Sequence, residues 1–290
     1  MSEPTTKTLD VPGATLRYDV RESESDTTAP LLLMVGSPMD ASGFATLATH
    51  FPDRTVVTYD PRGVARSERA DGATGSTPEE HADDLHRLIA DLGAGPVDIF
   101  GTSGGAVNAF ELVARHPDEV TTLVAHEPPL ATVLADREEA LAAVVDVHRT
   151  YERAGFGPAM ARFIALTMVK GPIPAEFPDQ QMDPAAFGLP TEDDGARNHP
   201  LLGAHIINVT HYEPDFDALR SARTRIVAAA GSESEGGFSY RATLAVAEGL
   251  RSEAAIFPSH HAGFVGDEAP QPGQPEAFAA RLREVLHADD

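Results

Sequence analysis

The sequence lacks cysteine and has only two lysines among its 290 residues. The absence of cysteine excludes disulfide bonds, thiolate metal ligands and a cysteine nucleophile. No apolar run approaches the roughly 18 residues that a membrane span needs. The polar residues 1–10 also lack the apolar core of a signal peptide. We therefore expect a cytoplasmic protein without a membrane partner.

Positive charge is also scarce. The chain has 22 basic against 45 acidic residues, which gives a net charge of −23, and its lysines are Lys7 and Lys170. An acidic surface repels nucleic acids and anionic membranes, so we expect neither as a partner. The sequence leaves open whether this acidity reflects adaptation to salt and whether the chain forms a homo-oligomer.

Short apolar segments alternate with amphipathic ones between residues 31 and 126. Residues 31–35 are apolar throughout, which is typical of a strand buried on both faces, and residues 55–59 predict a second buried strand. Residues 77–92 carry a capping box and an apolar stripe, which predict a helix. This alternation predicts an α/β fold with a mostly parallel twisted sheet flanked by helices. A polar–apolar hairpin over residues 5–22 precedes it.

The alternation stops after residue 129. Residues 130–215 predict helices, including 138–152 and 198–212, with a Pro- and Gly-rich stretch between them. The sheet pattern then resumes at residues 224–230 and ends with a helix over 275–286. We therefore expect a core formed by residues 1–129 and 216–290, with a helical cap or lid inserted at 130–215.

The segment Gly101-Thr102-Ser103-Gly104-Gly105 lies between a predicted strand and a predicted helix. Small neighbours allow a sharp turn that exposes a serine side chain above the sheet. The N–H groups at the start of the following helix have no acceptor within the helix, so they can bind a developing negative charge. This pattern indicates a nucleophilic Ser103.

Other polar side chains follow the remaining predicted strands. Ligands of open α/β sheets bind beyond the carboxyl ends of the strands, so these groups should share one edge with Ser103. Serine needs a base, and histidine, oriented by a carboxylate, suits that role. The residues at these ends are Ser37 and Met39, His126 and Glu127, Glu233 and Glu235, and His260 and His261. We predict His261 as the base, with His260 as its neighbour.

Together these features resemble the α/β-hydrolase superfamily in its serine-nucleophile branch. Residues 59–67 are similar to its strand-4 signature, and residues 258–264 are similar to its histidine loop. The resemblance implies that backbone N–H groups of Ser37 and Gly104 form the oxyanion hole. One departure is the sequence Val35-Gly36, where many members have His-Gly.

The resemblance also implies an acid after the strand at 224–230, where only glutamates occur. Glu233 has the expected spacing and is our predicted acid, with Glu127 and Glu235 as alternatives. Met39, His126 and His260 are candidates for the substrate pocket.

The resemblance implies a hydrolase that cleaves a carboxylic ester, thioester or similar acyl bond of a small molecule. The mechanism would use a Ser-His-Glu triad and an acyl-enzyme, and it requires neither a cofactor nor a metal. The alternatives are N-terminal aminopeptidase or perhydrolase activity on the same triad, and a catalytically silent member that binds a small ligand.

Overall fold

A nine-stranded sheet runs through the part of the chain that the computed structural model describes, residues 3–267 and 271–287. The strands are β1 (Thr5–Val11), β2 (Ala14–Arg21), β3 (Leu32–Val35), β4 (Val56–Asp60), β5 (Glu68–Arg69), β6 (Val97–Thr102), β7 (Val120–His126), β8 (Arg225–Gly231) and β9 (Ala255–Phe257). Their order in the sheet is β1-β2-β4-β3-β6-β7-β8-β9, and the short β5 pairs with β2.

The pairing directions follow the predicted pattern. Strands β1 and β2 form the antiparallel hairpin, and β2 pairs antiparallel with β4. From β4 to β9 every pairing along the sheet is parallel. Strands β3, β4 and β6 are buried at every position, including the polar residues Asp60 and Asp98, as expected for strands covered on both faces. The predicted α/β fold with a mostly parallel sheet is confirmed.

Helices cover both faces of this sheet. They are α1 (Ala45–Thr49), α2 (Pro78–Leu92), α3 (Gly104–Arg115), α4 (Arg137–Ala154), α5 (Phe156–Met168), α6 (Ala204–Thr210), α7 (Phe216–Ser221), α8 (Phe238–Leu250) and α9 (Pro275–Leu286). Helix α2 begins with the predicted capping box: Glu80 N–H donates to Thr77 Oγ1, and Thr77 N–H donates to Glu80 Oε2. None of the helices in the described ranges is both long and apolar enough to span a membrane.

Two apolar clusters hold these layers together. One includes Leu85 of α2, Phe110 of α3 and Val144 of α4, so the same core reaches from the sheet into residues 130–215. The other lies beneath α1 and α9 and includes Phe44 and Phe278. The sheet is therefore buried from both sides, and its carboxyl-end edge is left to form a site.

Residues 130–215, which we call the helical insertion, contain α4, α5 and α6 together with short 3-10 turns. The predicted helix over 198–212 is shorter in the structure and begins only at Ala204. Upstream of it, the Nδ1 atom of His199 accepts the N–H groups of Leu201 and Leu202. This local turn around Pro200 competes with the helix, so the helical register starts after Gly203.

Candidate active site

Ser103 occupies a strained turn between β6 and α3. Its backbone angles are φ 54° and ψ −128°, a region that a non-glycine residue rarely adopts. Such a conformation costs on the order of 1–3 kcal/mol and persists only where the surroundings enforce it. Here Ser103 N–H donates to the His126 carbonyl at 2.9 Å, and the Ser103 carbonyl accepts Ala106 N–H at 3.1 Å. The serine is thus held at the carboxyl end of β6.

The glycines after Ser103 permit a close approach between this turn and the loop after β3. A Cβ atom on Gly105 would lie 2.1 Å from the carbonyl oxygen of Val35. A Cβ atom on Gly104 would lie 2.5 Å from the carbonyl oxygen of Ser37. Any larger residue would push the start of α3 away from the β3 loop. The Gly-Gly pair therefore brings the two predicted oxyanion donors to neighbouring positions.

His261 pairs with Glu127 in this structure. The Nδ1 atom of His261 lies 2.6 Å from Glu127 Oε2, and the other oxygen of Glu127 accepts Gly231 N–H at 2.9 Å. The Glu127 side chain is 1% exposed, whereas that of His261 is 47% exposed. Glu127 itself has a positive φ of 47°, which turns its side chain from the end of β7 towards the end of β8. Because Nδ1 is used, the Nε2 atom of His261 is left as the proton acceptor.

The pair is strongly polarised. Burial alone would raise the pKa of Glu127, but the hydrogen bond from His261, the charge of that ring and Gly231 N–H lower it to about 2. Desolvation opposes the charged form of His261, yet the hydrogen bond to Glu127 and its negative charge raise the pKa of the imidazole above its usual value. Glu127 therefore stabilises an imidazolium at His261, which is what a general base requires after it takes a proton.

Among the described residues, the predicted acid Glu233 forms no hydrogen bond or ion pair with His261. Residues Ser232–Ser234 form a 3-10 turn in which Glu233 N–H donates to the Ser259 carbonyl. The exposed side chain of Glu233 instead accepts a hydrogen bond from Gln274 at 3.1 Å. Glu235 is also exposed. The partner of the histidine is the alternative acid, Glu127, which follows β7 instead of β8.

The predicted oxyanion residues lie beside the serine. Ser37 and Gly104 line the same cavity as Ser103 and His261. Gly104 opens helix α3, where N–H groups have no acceptor within the helix. Within the described part of the chain, no hydrogen bond joins Ser103 to His261; such bonds often tighten only when substrate binds.

A cavity of about 400 Å³ lies over this edge of the sheet. The helical insertion supplies most of its apolar wall, and the residues around α8 supply a polar rim with Glu233, Ser234 and Tyr240. The apolar lining side chains are Pro129, Val144, Phe163, Leu166, Leu201, Ile206, Val209 and Phe238. The site is thus closed on one side by the insertion and polar on the other.

Only one of the three predicted pocket residues lines this cavity. His260 does so, but Met39 packs against the apolar cluster beneath α1, close to Gly43. His126 is fully buried among phenylalanine rings, with its Nδ1 atom 3.2 Å from Thr102 Oγ1. Burial lowers the pKa of His126 to about 4, so it is a neutral core residue behind His261.

Sequence reasoning missed several polar residues that line the cavity, among them His205 and Lys170. His205 of α6 lies beside Ser37 and Gly104, and Lys170, one of the two lysines, lies at the rim. The sequence carried a weak signal for Lys170, its rarity. It carried none for His205, because the helical period does not say which face of a short helix meets the sheet.

A separate group of possible metal ligands lies away from this edge of the sheet. It consists of His86, His116 and Glu119, whose ligand atoms lie within 4.8 Å of one another. The two imidazole rings are stacked, with centroids 4.0 Å apart and planes at 8°. Their in-plane lone pairs therefore run parallel and do not converge on one point. The His86 Nδ1 atom lies 2.6 Å from Glu119 Oε1, so this cluster is a hydrogen-bonded pair covered by a second ring.

Comparisons with known proteins agree with this architecture. A family model described as alpha/beta hydrolase fold matches residues 29–230. An uncharacterized hydrolase of Bacillus subtilis (strain 168), YraK, is 33% identical over 290 residues, covering 97% of this chain and 96% of that protein. Two solved structures share the fold. Proline iminopeptidase of Mycobacterium smegmatis has a TM-score of 0.63 at 19% identity and covers 98% of both chains. Carboxylesterase CesB of Bacillus subtilis has a TM-score of 0.61 at 15% identity and covers 100% of this chain and 93% of its own.

Proposed function

Since this chain belongs to the alpha/beta hydrolase fold family and is a hydrolase, we propose that it cleaves carboxylic esters or similar acyl bonds through Ser103, His261 and Glu127. The observation that carries this proposal is the 2.6 Å contact between His261 and the buried Glu127, in a cavity that also holds Ser103. A histidine whose Nδ1 is fixed by a carboxylate is poised to accept a proton at Nε2.

Each residue then has a defined role. Ser103 Oγ attacks the substrate carbonyl carbon while its proton passes to His261 Nε2. The carbonyl oxygen becomes an oxyanion, which accepts hydrogen bonds from the N–H groups of Ser37 and Gly104. His261 returns the proton to the leaving oxygen as the bond to it breaks. Water, deprotonated by His261, then attacks the acyl-enzyme and frees Ser103.

The wall of the cavity supports an apolar acyl group. Phe163, Leu166 and Ile206 of the insertion face the volume beside Ser103. Burying apolar surface contributes roughly 25 cal/mol per Å², so this wall favours hydrocarbon over a charged group. We accordingly assign the helical insertion, residues 130–215, the role of a cap that sets acyl preference.

An aminopeptidase would need a carboxylate that binds the ammonium group of its substrate. Glu127, or a carboxylate of the helical insertion, is the candidate for that role. Both oxygens of Glu127 already accept hydrogen bonds, from His261 and Gly231, and its side chain is buried. Glu127 is thus already engaged by His261 and Gly231, which favours the ester hydrolase over an aminopeptidase that binds its substrate through Glu127.

The test combines covalent labelling with turnover. We expect a fluorophosphonate probe to label the native protein and not Ser103→Ala. We also expect p-nitrophenyl esters of graded acyl length to show an optimum that reflects pocket depth. Aminoacyl arylamides assayed in parallel would identify a peptidase. An unlabelled native protein, or equal labelling of Ser103→Ala, would refute the proposal.

A further inference from the structure

One wall of the active-site cavity changes from apolar to charged along helix α5 and the residues that follow it. Phe163, Leu166 and Thr167 of α5 all line the cavity, and their spacing places the three side chains on one face of the helix. Lys170 also lines the cavity, two residues after the helix ends at Met168. A substrate lying along this wall would therefore contact hydrocarbon at one end and an ammonium group at the other.

The glycines that precede α8 show where the Lys170 side chain lies. A Cβ atom on Gly236 would be 3.7 Å from both the Cβ and the Cδ atoms of Lys170, and a Cβ atom on Gly237 would be 3.6 Å from its Nζ atom. The stem of the lysine thus runs along Gly236, and its ammonium group ends beside Gly237. Because Gly237 lines the same cavity as Ser103, the positive charge lies on the rim of that cavity.

The backbone beside Lys170 is held from two directions. Gly171 N–H donates to the Gly236 carbonyl at 2.8 Å, and the Gly171 carbonyl accepts a hydrogen bond from Arg241 Nη1 at 2.6 Å. Arg241 is itself paired with Asp136, the residue that precedes α4. The loop that carries Lys170 is therefore joined to both helices, which reduces the ordering cost of a ligand contact made through it.

Lys170 has no acidic partner in the described part of the chain. Within residues 3–267 and 271–287 it forms neither a hydrogen bond nor an ion pair. Glu233 lies on the same rim, but its carboxylate accepts a hydrogen bond from Gln274. The charge of Glu233 opposes an anion at a distance, so a substrate anion gains from Lys170 only through direct contact.

We propose that Lys170 determines specificity by binding a carboxylate of the substrate, so that the preferred ester carries a carboxylate joined to the scissile group by a hydrocarbon segment. The inference rests on the proposed hydrolase function. An ammonium–carboxylate contact is a charge-assisted hydrogen bond, which is stronger than a neutral one. The hydrocarbon segment would lie on Phe163 and Leu166.

A carboxylate fits this rim better than a phosphate monoester does. A phosphate monoester carries nearly two negative charges at pH 7, whereas a carboxylate carries one. Lys170 supplies one positive charge, and Glu233 on the same rim would repel a doubly charged group more strongly. The charge balance of the rim therefore favours a single carboxylate.

The test compares each carboxylate ester with its carboxamide analogue, which has nearly the same shape and no charge. In one pair the carboxylate is on the acyl side, as in monoethyl adipate and its monoamide. In the other pair it is on the alcohol side, as in the butyrate esters of p-hydroxybenzoic acid and p-hydroxybenzamide. Hydrolysis is followed by titration at constant pH. The ratio of kcat/KM for the acid to kcat/KM for the amide measures recognition of the charge, because a general loss of activity affects both substrates alike.

We expect Lys170→Gln to lower this ratio by about 3- to 20-fold in at least one pair, and Lys170→Glu to lower it further. The pair in which the ratio falls identifies the side of the ester that carries the carboxylate. Lys7→Gln is the matched control, because it removes the other lysine of the chain and changes the net charge by the same amount. Lys7 lies on β1 and does not line the cavity, so the ratio should stay within about twofold of the native value.

The outcomes separate this inference from the proposed function. A native protein that neither hydrolyses uncharged esters nor reacts with fluorophosphonate refutes the function itself. If the native protein is active, the role of Lys170 is overturned when Lys170→Gln leaves the ratio unchanged in both pairs, or when the native protein hydrolyses the amides and not the acids. An equal fall in Lys7→Gln would also overturn it, because the effect would then come from the net charge of the chain and not from a contact in the cavity.

Discussion

Replacing Glu127 with glutamine should disable the site through the tautomer of His261. Gly231 N–H points at Oε1 of Glu127, so a glutamine must keep its carbonyl oxygen there. Its NH₂ group would then face His261 Nδ1, where Oε2 now lies at 2.6 Å. That contact is favourable only if Nδ1 accepts and Nε2 carries the proton. An imidazole in this tautomer cannot take the proton of Ser103.

The expected magnitude follows from this geometry. A carboxylate-to-amide change that locks the wrong tautomer lowers kcat by about 10⁴ in the well-studied Ser-His-Asp hydrolases. The same loss corresponds to about 5.5 kcal/mol of transition-state stabilisation. We expect a fall of about 10³–10⁴ in kcat for Glu127→Gln, with the fold preserved because the two side chains have nearly the same shape.

The assay is steady-state ester hydrolysis across pH. Only a neutral His261 accepts a proton, and Glu127 raises the pKa of His261 above its usual value of 6.5. In the native protein kcat/KM should therefore rise with pH with a midpoint above 6.5. In Glu127→Gln the raising charge is gone while desolvation remains, so the residual activity should have a lower midpoint.

Glu233→Gln is the matched control, because this exposed side chain contacts Gln274 and not His261. It should retain kcat within about threefold, as expected for an exposed group outside the hydrogen-bonded pair. The reasoning fails if Glu233→Gln loses activity and Glu127→Gln keeps it. It also fails if the pH midpoint of Glu127→Gln is unchanged.

Two further predictions concern stability. Gly105→Ala would place a Cβ atom 2.1 Å from the Val35 carbonyl oxygen, so we expect the free energy of unfolding in urea to fall by at least about 2 kcal/mol. Gly203→Ala is the control, because its Cβ atom would have its nearest contact at 3.4 Å and the free energy of unfolding should stay near the native value. Equal effects of the two substitutions would contradict the close approach at Gly105. Arg54→Ala breaks a buried ion pair of 2.6 Å and should cost about 3–5 kcal/mol. Arg87→Ala breaks an exposed pair within α2 and should leave the stability close to that of the native protein. Equal thermal shifts for the two variants would contradict that difference.

Much of the fold follows from local sequence patterns. The buried strands, the capping box of α2 and the final helix Pro275–Leu286 depend on residues a few positions apart, and the structure places them where predicted. The two short elements that were missed, β5 and α7, contain two and six residues. Segments of that length carry too few periods to show a pattern, and tertiary contacts decide their form.

Local sequence patterns could not show which of two glutamates contacts His261. Glu127 and Glu233 both follow a strand that ends at the correct edge, so position in the sequence does not separate them. What separates them is a positive φ at Glu127, which turns its side chain across to Gly231 and His261. The 3-10 turn at Ser232–Ser234 meanwhile carries Glu233 outward.

The loop after β3, which contains Val35, Gly36 and Ser37, also shows that local patterns do not predict which distant residues lie beside a segment. In the sequence, Val35-Gly36 reads as a loss, because the histidine found there in many relatives is missing. In space, His205 of α6 lies beside the same loop and lines the same cavity as Ser37 and Gly104. Local patterns report which residues a segment contains, whereas a catalytic site depends on which segments meet. The residues that a loop contains therefore do not decide what surrounds it, because a distant element can bring a side chain of the missing type to the same place.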